Sequence, residues 1–327
     1  MNIRTVMTIT PSDIAELKSR HRLSDIVARH VKLRRSGREY VGLCPFHEES
    51  SASFYVNDAK GLYHCFACAA SGDAIDFVRE IEGKTFVETL EWLGATDLST
   101  GLDPAWQERE QRRETARKLA SVARAQEQWA VVRPIAGTLG ARYMRSRGIV
   151  GPIPSDIGFA WVPLWYNRKT GRPGPARPAV LCACRDVHGD ITGLQRIFLD
   201  RSGNKAAMKK PKLSLGHVRG SAVRLGPPAR RIILCEGPED GLTLWMRYPT
   251  TSVWVTLGTG SLPHVILPSV VQDVVLGGDN NNPGRAAVAT AHETYTAQGR
   301  NVRDLFPAAE FEDFNDEHLG IHMASAS

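Results

Sequence analysis

Long apolar segments are absent from this sequence. No run approaches the ~20 apolar residues that a helix needs to cross a bilayer. The opening stretch, MNIRTVMTITPSDIAELKS, also lacks the unbroken apolar core of a signal peptide. These absences argue against a membrane-embedded protein, and we expect a soluble, cytoplasmic one with no membrane partner.

Cysteine is scarce, at six residues in 327, and there are no internal repeats or low-complexity tracts. Because the cytosol is reducing, closely spaced cysteines there are expected to bind metal or act in redox chemistry rather than form disulfides. Cys182, Cys184 and Cys235 lie in apolar, strand-like segments and are interpreted as small core residues. A hydrophobic content of 42% in a chain of this length predicts two or three structural units.

Positive charge is in modest excess, with a formal net charge of +6. It is concentrated in RHVKLRRSGR (29–38) and KAAMKKPK (205–212), which favours a polyanionic partner. A charge run is more often only a solvated face, and that alternative stays open for each segment.

The apolar patterns predict an α+β multidomain protein. Residues 10–30 have helical periodicity, and two further short helices are predicted within 71–94. Short β-prone runs between about 150 and 225 indicate a small mixed α+β unit. About the last hundred residues alternate strand and helix, which is typical of a Rossmann-like α/β fold with a largely parallel sheet.

Two paired motifs predict a metal site near the amino terminus. Cys44 and His47 are followed after a gap by Cys65 and Cys68, a spacing typical of tetrahedral zinc. Four protein ligands leave no open position, so we expect the zinc to be structural. The alternative is that the cysteines are simply buried and His47 lies on the surface. His64 is a competing ligand whose spacing fits less well.

Aromatic and basic residues are interleaved around these motifs. This combination suits stacking on unpaired bases while backbone phosphates are neutralised. Some of the rings are expected to form the small core instead. The residues concerned are Phe46, Phe54, Tyr55, Tyr63 and Phe66, with Arg34, Arg35, Arg38 and Lys60.

Two acidic residues follow apolar strands in the last part of the chain. Glu236 directly follows the apolar run IILC and Asp279 ends DVVLGGD, so both are expected at the carboxyl ends of strands, where open α/β sheets bind ligands. Carboxylates that converge there suit a divalent metal. For either acid alone, a helix cap or turn would be the favoured interpretation.

The zinc motif and its surroundings resemble the zinc-binding CHC2 domain of bacterial DnaG-type DNA primases. The resemblance covers about residues 12–95, including SGDAI after Cys68, and departs at SSASF, where the family has Thr and Pro before Ser-Phe. It implies a module that binds single-stranded template and helps to choose the start site. Tyr63 and Phe66, with Arg34, Arg35 and Arg38, are then candidate nucleic-acid-binding residues.

The acidic strands resemble the Toprim domain shared by primases and topoisomerases. The resemblance assigns the motif glutamate to Glu236, the acid of the first helix to Asp240 and the first aspartate to Asp279. Asn281 stands where a second aspartate is expected. EDFND resembles the late acidic motif, which adds Asp313 and Asp316 as catalytic candidates. Glu236, Asp279 and Asn281 are implied to bind Mg²⁺ or Mn²⁺.

The segment 185–216 resembles the amino-terminal half of a primase polymerase core. On this basis the chain divides into a zinc-binding domain, a linker with a charged helix, the first part of the polymerase core and a Toprim catalytic domain, with bounds 1–95, 96–130, 131–228 and 229–327. Candidates for holding template or nucleotide phosphates are Arg196, Lys205, Lys209, Lys210 and Lys212.

The resemblance implies a DNA primase, a nucleotidyltransferase that makes RNA primers in DNA replication. Its implied partners are single-stranded DNA, nucleoside triphosphates and a separately encoded replicative helicase. The short chain resembles primases of phages, plasmids or other mobile elements. A Toprim nuclease and a DNA-binding protein with a weakened site are the alternatives. An ATPase is not indicated, because EGKT (82–85) has Val78 where a Walker A loop requires Gly.

Overall fold

The computed structural model describes residues 11–46, 52–66, 68, 70–95, 104–167, 169–208 and 210–323. The chain forms two compact units. The amino-terminal unit comprises Met1–Thr115 and Pro163–Ala176, and the carboxyl-terminal unit comprises Ala116–Val162 and Arg177–Ser327. None of the helices in the described ranges combines the length and apolar character required to cross a membrane.

The amino-terminal unit contains a five-stranded antiparallel sheet with the strands in chain order. These strands are β1 (Arg34–Ser36), β2 (Glu39–Gly42), β3 (Phe54–Asn57), β4 (Leu62–Cys65) and β5 (Ser71–Gly72). The helices are α1 (Pro11–Ser19), α2 (Leu23–Ala28), α3 (Ala74–Glu82) and α4 (Phe86–Trp92), followed by α5 (Pro104–Trp129), which continues into the second unit.

Local sequence explains where α3 and α4 begin. Asp73 caps α3 and exchanges hydrogen bonds with Asp76, while Thr85 caps α4 and does the same with Glu88. Gly83, at φ 67°, ends α3 in the left-handed conformation that glycine adopts most easily. The helices thereby direct apolar residues into one core with the sheet, including Phe54, Val56, Tyr63, Phe77 and Leu90.

The carboxyl-terminal unit is built on a nine-stranded mixed sheet. One part contains the antiparallel strands β7 (Ala176–Arg185), β8 (Ile191–Phe198), β9 (Lys212–Gly216) and β10 (Ala222–Arg224), with β6 (Ile157–Pro163) paired to β7. The other is parallel: β11 (Arg231–Cys235), β12 (Ser252–Val255), β13 (Asp273–Gly277) and β14 (Asn301–Leu305). The strand order is β14-β13-β11-β12-β10-β7-β8-β9, with β6 beside β7.

Alternation along the strands separates two cores on the two faces of this sheet. Ile233 and Cys235 of β11 belong to one core, whereas Ile232 and Leu234 belong to the other. The helices of this unit, after the end of α5, are α6 (Leu139–Ser146), α7 (Pro238–Arg247), the 3-10 helix Thr259–His264, α8 (Asn282–Ala297) and α9 (Phe314–Leu319). The α+β fold class with a largely parallel carboxyl-terminal sheet is confirmed.

Residues 163–176 are a part of the fold that the sequence patterns did not indicate. They lie between β6 and β7 along the chain, yet they belong to the amino-terminal unit. Trp165 packs against the core of that unit. The division at 95, 130 and 228 stays a prediction.

Candidate functional site

Glu236 and Asp279 lie at the same edge of the parallel sheet. β11 and β13 are parallel neighbours, and Leu234 pairs with Leu276 near their carboxyl ends. Glu236 directly follows β11, and Asp279 follows β13 after one glycine. We call this edge, with both carboxylates, the acid edge.

Electrostatic coupling shows that further acids lie around Asp279. Burial raises its pKa to about 7, and the charges of Glu236, Asp313 and Glu312 raise it as well. Burial also raises the pKa of Asp240 well above its usual range, with contributions from Asp313 and Asp279. The acidic residues predicted from the sequence are therefore brought together.

Glycines allow the backbone to bring these groups close. A Cβ atom on Gly237 would lie 2.7 Å from Oδ2 of Asp240, and one on Gly284 would lie 2.7 Å from the carbonyl oxygen of Asp279. Leu257 adds local strain, because its φ of 61° is rare for a branched residue, and its N–H donates to the carbonyl of Glu236 at 3.0 Å.

The late acidic motif opens the short helix α9. Asp313 is the N-cap of α9 and accepts a hydrogen bond of 2.7 Å from the backbone N–H of Asp316. The N–H of Asn315 donates to Oδ1 of Asp240 at 3.0 Å, which joins α9 to α7. Burial and then Asp313 raise the pKa of Asp316.

Asn281 has a structural task at the acid edge. Its Oδ1 accepts from the N–H of Gly284 at 2.8 Å and so caps α8. Its Nδ2 donates to Oε1 of Glu312 at 3.1 Å, which holds that carboxylate near Asp279. Glu312 was missed at the sequence level, although it precedes Asp313 in the same motif. The predicted metal role of Asn281 stays a prediction.

The donor set at the acid edge suits a divalent cation. Oxygen ligands are what Mg²⁺ and Mn²⁺ prefer, and carboxylates that raise one another's pKa are relieved by a bound cation. Among the residues that the structure describes, no three acidic residues each place a carboxylate oxygen within 4.8 Å of the others.

Replacing Asp279 by Asn is expected to stabilise the metal-free protein at neutral pH. Because the folded-state pKa of about 7 exceeds the ordinary 3.8, the contribution of Asp279 to the free energy of unfolding is most favourable below pH 4 and is lost as the pH rises through 7. After allowance for solvent screening, the gain at pH 8 is about 1–2 kcal/mol and disappears near pH 4. Urea unfolding at both pH values, with EDTA present, measures it.

The exposed Glu293 on α8 offers a matched control for this stability measurement. Glu293→Gln removes the same charge without relieving crowding, so its effect on the free energy of unfolding should be small and similar at pH 4 and pH 8. A similar gain in both variants would mean that net charge, not the crowding at Asp279, is responsible.

Lys205 and Lys212 lie beside the acid edge, where both pair with a buried acid. Lys212 Nζ lies 2.9 Å from Glu239 Oε2, and Lys205 Nζ lies 3.3 Å from Oε1. Tyr143 donates its hydroxyl to the same carboxylate. Burial would raise the pKa of Glu239, but Lys212 and Lys205 outweigh it and hold the pKa at about 2. We call these four residues the lysine anchor.

Sequence reasoning missed Glu239, although it lies between Glu236 and Asp240. The available signal was its position in the first turn of α7, where the helix dipole favours a negative charge. Its partners are distant along the chain and were not readable as contacts.

The other predicted phosphate-binding residues, Arg196, Lys210 and Lys209, differ in their exposure. Arg196 is buried in β8, with its guanidinium 5.3 Å from the ring centroid of Phe198, so contact with a phosphate would require the side chain to move. Lys210 is exposed. Lys209 lies outside the described residues.

The amino-terminal unit brings its three described zinc-ligand candidates together. The sulfur atoms of Cys44, Cys65 and Cys68 all lie within 4.8 Å of one another, and those of Cys44 and Cys68 are 3.9 Å apart. Hydrogen bonds from Cys65 and Cys68, together with burial, raise the pKa of the Cys44 thiol. A soft cation fits this donor set, because it favours the thiolate forms.

The two histidine candidates differ. His47 lies outside the described residues. His64 immediately precedes Cys65 on β4, so the two side chains lie on opposite faces of the sheet. The competing assignment of His64 as a ligand is therefore wrong for this arrangement.

One outer face of the sheet carries aromatic and basic residues. Strand pairing places Arg34, Val41, Tyr55 and His64 in one row across β1 to β4. Val41 is buried, Tyr55 and His64 are part-exposed and Arg34 is exposed. Phe66 continues the surface, with its ring centroid 5.3 Å from that of Tyr55 and 4.7 Å from that of His64. We call Arg34, Tyr55, His64 and Phe66 the aromatic face.

The predicted stacking role of Tyr63 is wrong. Its side chain is only 1% exposed and packs among Phe54, Phe46 and Phe77 in the core. Phe66, in contrast, is 70% exposed. Arg34, Arg35 and Arg38 are also exposed. Tyr55 was one of the interleaved aromatics but was not assigned a nucleic-acid-binding role, and His64 was considered only as a competing zinc ligand.

Family models match three consecutive parts of the chain. A CHC2 zinc finger matches residues 9–105, a domain of unknown function (DUF7146) matches residues 120–225, and a Toprim domain matches residues 231–320.

Curated relatives include bacterial DNA primases. The chain is 36% identical to DNA primase of Myxococcus xanthus over 169 residues, which are 51% of this chain and 27% of the relative. It is 29% identical to DNA primase of Escherichia coli K12 over 335 aligned positions, covering 90% of this chain and 57% of the relative. The chain thus spans little more than half the length of the longer match.

Solved structures that match include the Aquifex aeolicus primase with its zinc-binding and RNA polymerase domains. That match has 21% identity and a TM-score of 0.40 and covers 94% of this chain and 82% of that chain. A DnaG primase catalytic domain bound to single-stranded DNA matches with 19% identity and a TM-score of 0.44, covering 64% of this chain and 79% of that chain.

Proposed function

We propose that this chain, which carries the CHC2 zinc finger and the Toprim domain of DnaG-type primases, is a DNA primase. It synthesises short RNA primers on single-stranded DNA from nucleoside triphosphates. The observation that carries this proposal is the acid edge, where Glu236 and Asp279 meet beside the cationic groups of Lys205 and Lys212. A separately encoded helicase stays a predicted partner.

The acid edge is the proposed catalytic centre. Glu236 and Asp279 would hold a divalent cation, Mg²⁺ or Mn²⁺, with Asp240, Asp313, Asp316 and Glu312 adding negative charge around them. When bound, such a cation activates the primer 3′-hydroxyl and neutralises the triphosphate. Asn281 keeps the start of α8 and Glu312 in place.

Lys205 and Lys212 are proposed to hold substrate phosphates. Their ammonium groups are part-exposed and fixed on one side by Glu239. Positioned cations stabilise charge that develops on phosphate oxygens, and they need little reorganisation during the reaction. The exposed Lys210 is then left to bind the template electrostatically, and the same role stays a prediction for Lys209.

The amino-terminal unit is proposed to hold the template. Its zinc, bound by Cys44, His47, Cys65 and Cys68, would be structural because four protein ligands leave no open position. The aromatic face offers rings for unpaired bases, and Arg34, Arg35 and Arg38 offer charges for the phosphates.

One incubation tests the proposed function against its alternatives. The full chain is mixed with single-stranded DNA, labelled nucleotides and Mg²⁺ or Mn²⁺. Products longer than the input label support a primase, shortened DNA supports a Toprim nuclease, and retention of DNA without either product supports a binding protein. The zinc-binding unit and the basic segments favour the first outcome over the second.

Phe66→Ala is expected to weaken single-stranded DNA binding without unfolding the protein. Stacking of a base on an aromatic ring contributes about 1–3 kcal/mol, so the dissociation constant should rise on the order of tenfold. Fluorescence anisotropy with a labelled oligonucleotide measures the change. Leu119→Ala is the control, since Leu119 is 66% exposed but lies on α5. Equal losses in both variants would remove the aromatic face as a binding surface.

A further inference from the structure

Glu239 is a buried acid beside the acid edge. This carboxylate is 5% exposed and lies in the first turn of α7. An isolated carboxylate is costly to bury, so buried acids are paired and hydrogen-bonded. Both oxygens of Glu239 are used, one by Lys212 and the other by Lys205 and Tyr143.

The lysine side chains are not buried as Glu239 is. The side chain of Lys205 is 30% exposed and that of Lys212 is 34% exposed. An ammonium group has three donors, so contact with Glu239 leaves donors for a second anion. The buried carboxylate of Glu239 thus contacts both ammonium groups on their inner side, while the side chains of Lys205 and Lys212 remain partly exposed to solvent.

Tyr143 fixes the geometry of this group. Its side chain is buried and its hydroxyl donates to Glu239. Lys205 Nζ lies 6.0 Å from the centre of the Tyr143 ring, and the guanidinium carbon of Arg147 lies 5.8 Å from it. Arg147 and Lys205 also oppose the rise in the pKa of Asp316. The lysine anchor is therefore next to the acidic cluster.

We propose that Glu239 is a positioning residue for substrate phosphates, which anchors the ammonium groups of Lys205 and Lys212 and cancels one of their two charges. A polyphosphate meets two fixed donors with a net charge of one rather than two mobile cations. The consequence is oriented binding of moderate strength, from which a pyrophosphate product can leave. The assignment rests on the proposed function for the identity of this ligand.

The first test measures binding of inorganic triphosphate without divalent cations. Glu239→Gln removes a negative charge a few ångströms from the ligand and keeps an oxygen for Tyr143, so affinity is expected to rise about tenfold. Glu239→Asp keeps the charge and should bind as the wild type does. Glu293→Gln is the matched control and should leave affinity unchanged. Titration calorimetry at fixed ionic strength gives the values.

A double variant separates the lysine anchor from a general charge effect. In a Lys212→Gln background, Glu239→Gln should raise triphosphate affinity by clearly less than tenfold, because one anchored cation is already gone. Thermal unfolding of each variant shows whether it is folded. Unchanged or weaker triphosphate binding by folded Glu239→Gln protein would overturn the assignment.

The second test measures primer synthesis on single-stranded DNA. Glu239→Gln should lower kcat about tenfold through lost orientation, while the nucleotide KM falls rather than rises. Partial misfolding would lower kcat alone and leave KM unchanged. Glu239→Asp should restore both. A kcat and a KM equal to those of the wild type would also overturn the assignment.

The two tests distinguish the inference from the proposed function. If the wild type makes no primer but the triphosphate affinities follow the expected order, the primase proposal falls and the anchoring role of Glu239 stands. If primers are made but the affinities do not change, the anchoring role falls alone.

Discussion

Glu236→Ala and Asp279→Ala are each expected to reduce primer synthesis by about 10³-fold or more. Both carboxylates end parallel strands at the acid edge, and Asp279 is crowded by Glu236, Asp313 and Glu312. Removing a group that stabilises developing charge, or that holds the cation doing so, costs several kcal/mol of the reaction barrier. Incorporation of labelled nucleotides on single-stranded DNA measures the loss.

The structure predicts that these losses do not arise from unfolding. Crowded carboxylates oppose folding in the metal-free state, so removing one should leave the melting temperature equal or higher. Glu293→Ala, on the exposed surface of α8, should retain wild-type synthesis. Near wild-type synthesis by Asp279→Ala protein would eliminate the acid edge as the active site.

Cys65→Ala is expected to release the zinc and unfold residues near 40–70. Cys65 is the last residue of β4 and is 0% exposed, and its sulfur atom lies within 4.8 Å of those of Cys44 and Cys68. Zinc contributes on the order of 10 kcal/mol to the folding of such modules, which is comparable to the whole free energy of unfolding of a small domain. Metal analysis should give one zinc per wild-type chain and none in the variant.

Amide hydrogen exchange shows which strands unfold in the Cys65→Ala protein. Protection should disappear in β2 to β4 of the Cys65→Ala protein, whereas β11 to β14 should exchange as in the wild type. Cys182→Ala is the matched control, because Cys182 is an equally buried cysteine of the other unit and should leave the zinc content intact. Purified wild-type protein without stoichiometric zinc would contradict this prediction.

The acid edge was predictable because its signals are local. An apolar run with an acid and a glycine at its end predicts both a parallel strand and a carboxylate at the carboxyl end of that strand. Glu236 precedes its glycine and Asp279 follows two glycines, and both fit this pattern. Which face of a short strand enters the core was harder to predict from the sequence. β3 and β4 each have four residues and carry rings on both faces, so alternation alone did not reveal that Tyr63 enters the core while Tyr55 remains outside.

Contacts between residues that are distant along the chain could not be predicted from the sequence patterns. Glu239 meets Lys212 across 27 residues and Tyr143 across 96. No periodicity encodes such a pairing, because it depends on how β9, α6 and α7 pack. For the same reason, the membership of residues 163–176 in the amino-terminal unit was not evident, since their neighbours in the chain belong to the other unit.

The three-residue strand β10 has a consequence for how the carboxyl-terminal unit folds. It pairs with β7 on one side and with β12 on the other. Within the described residues it therefore joins the antiparallel and parallel parts of the sheet. Neither part can complete its hydrogen-bond ladder alone, and both should melt in a single cooperative transition. A fragment beginning at residue 229 would expose an unpaired β12, a strand edge prone to aggregation. The smallest fragment expected to fold is therefore the one that contains the whole sheet, not the one that begins at the predicted Toprim boundary.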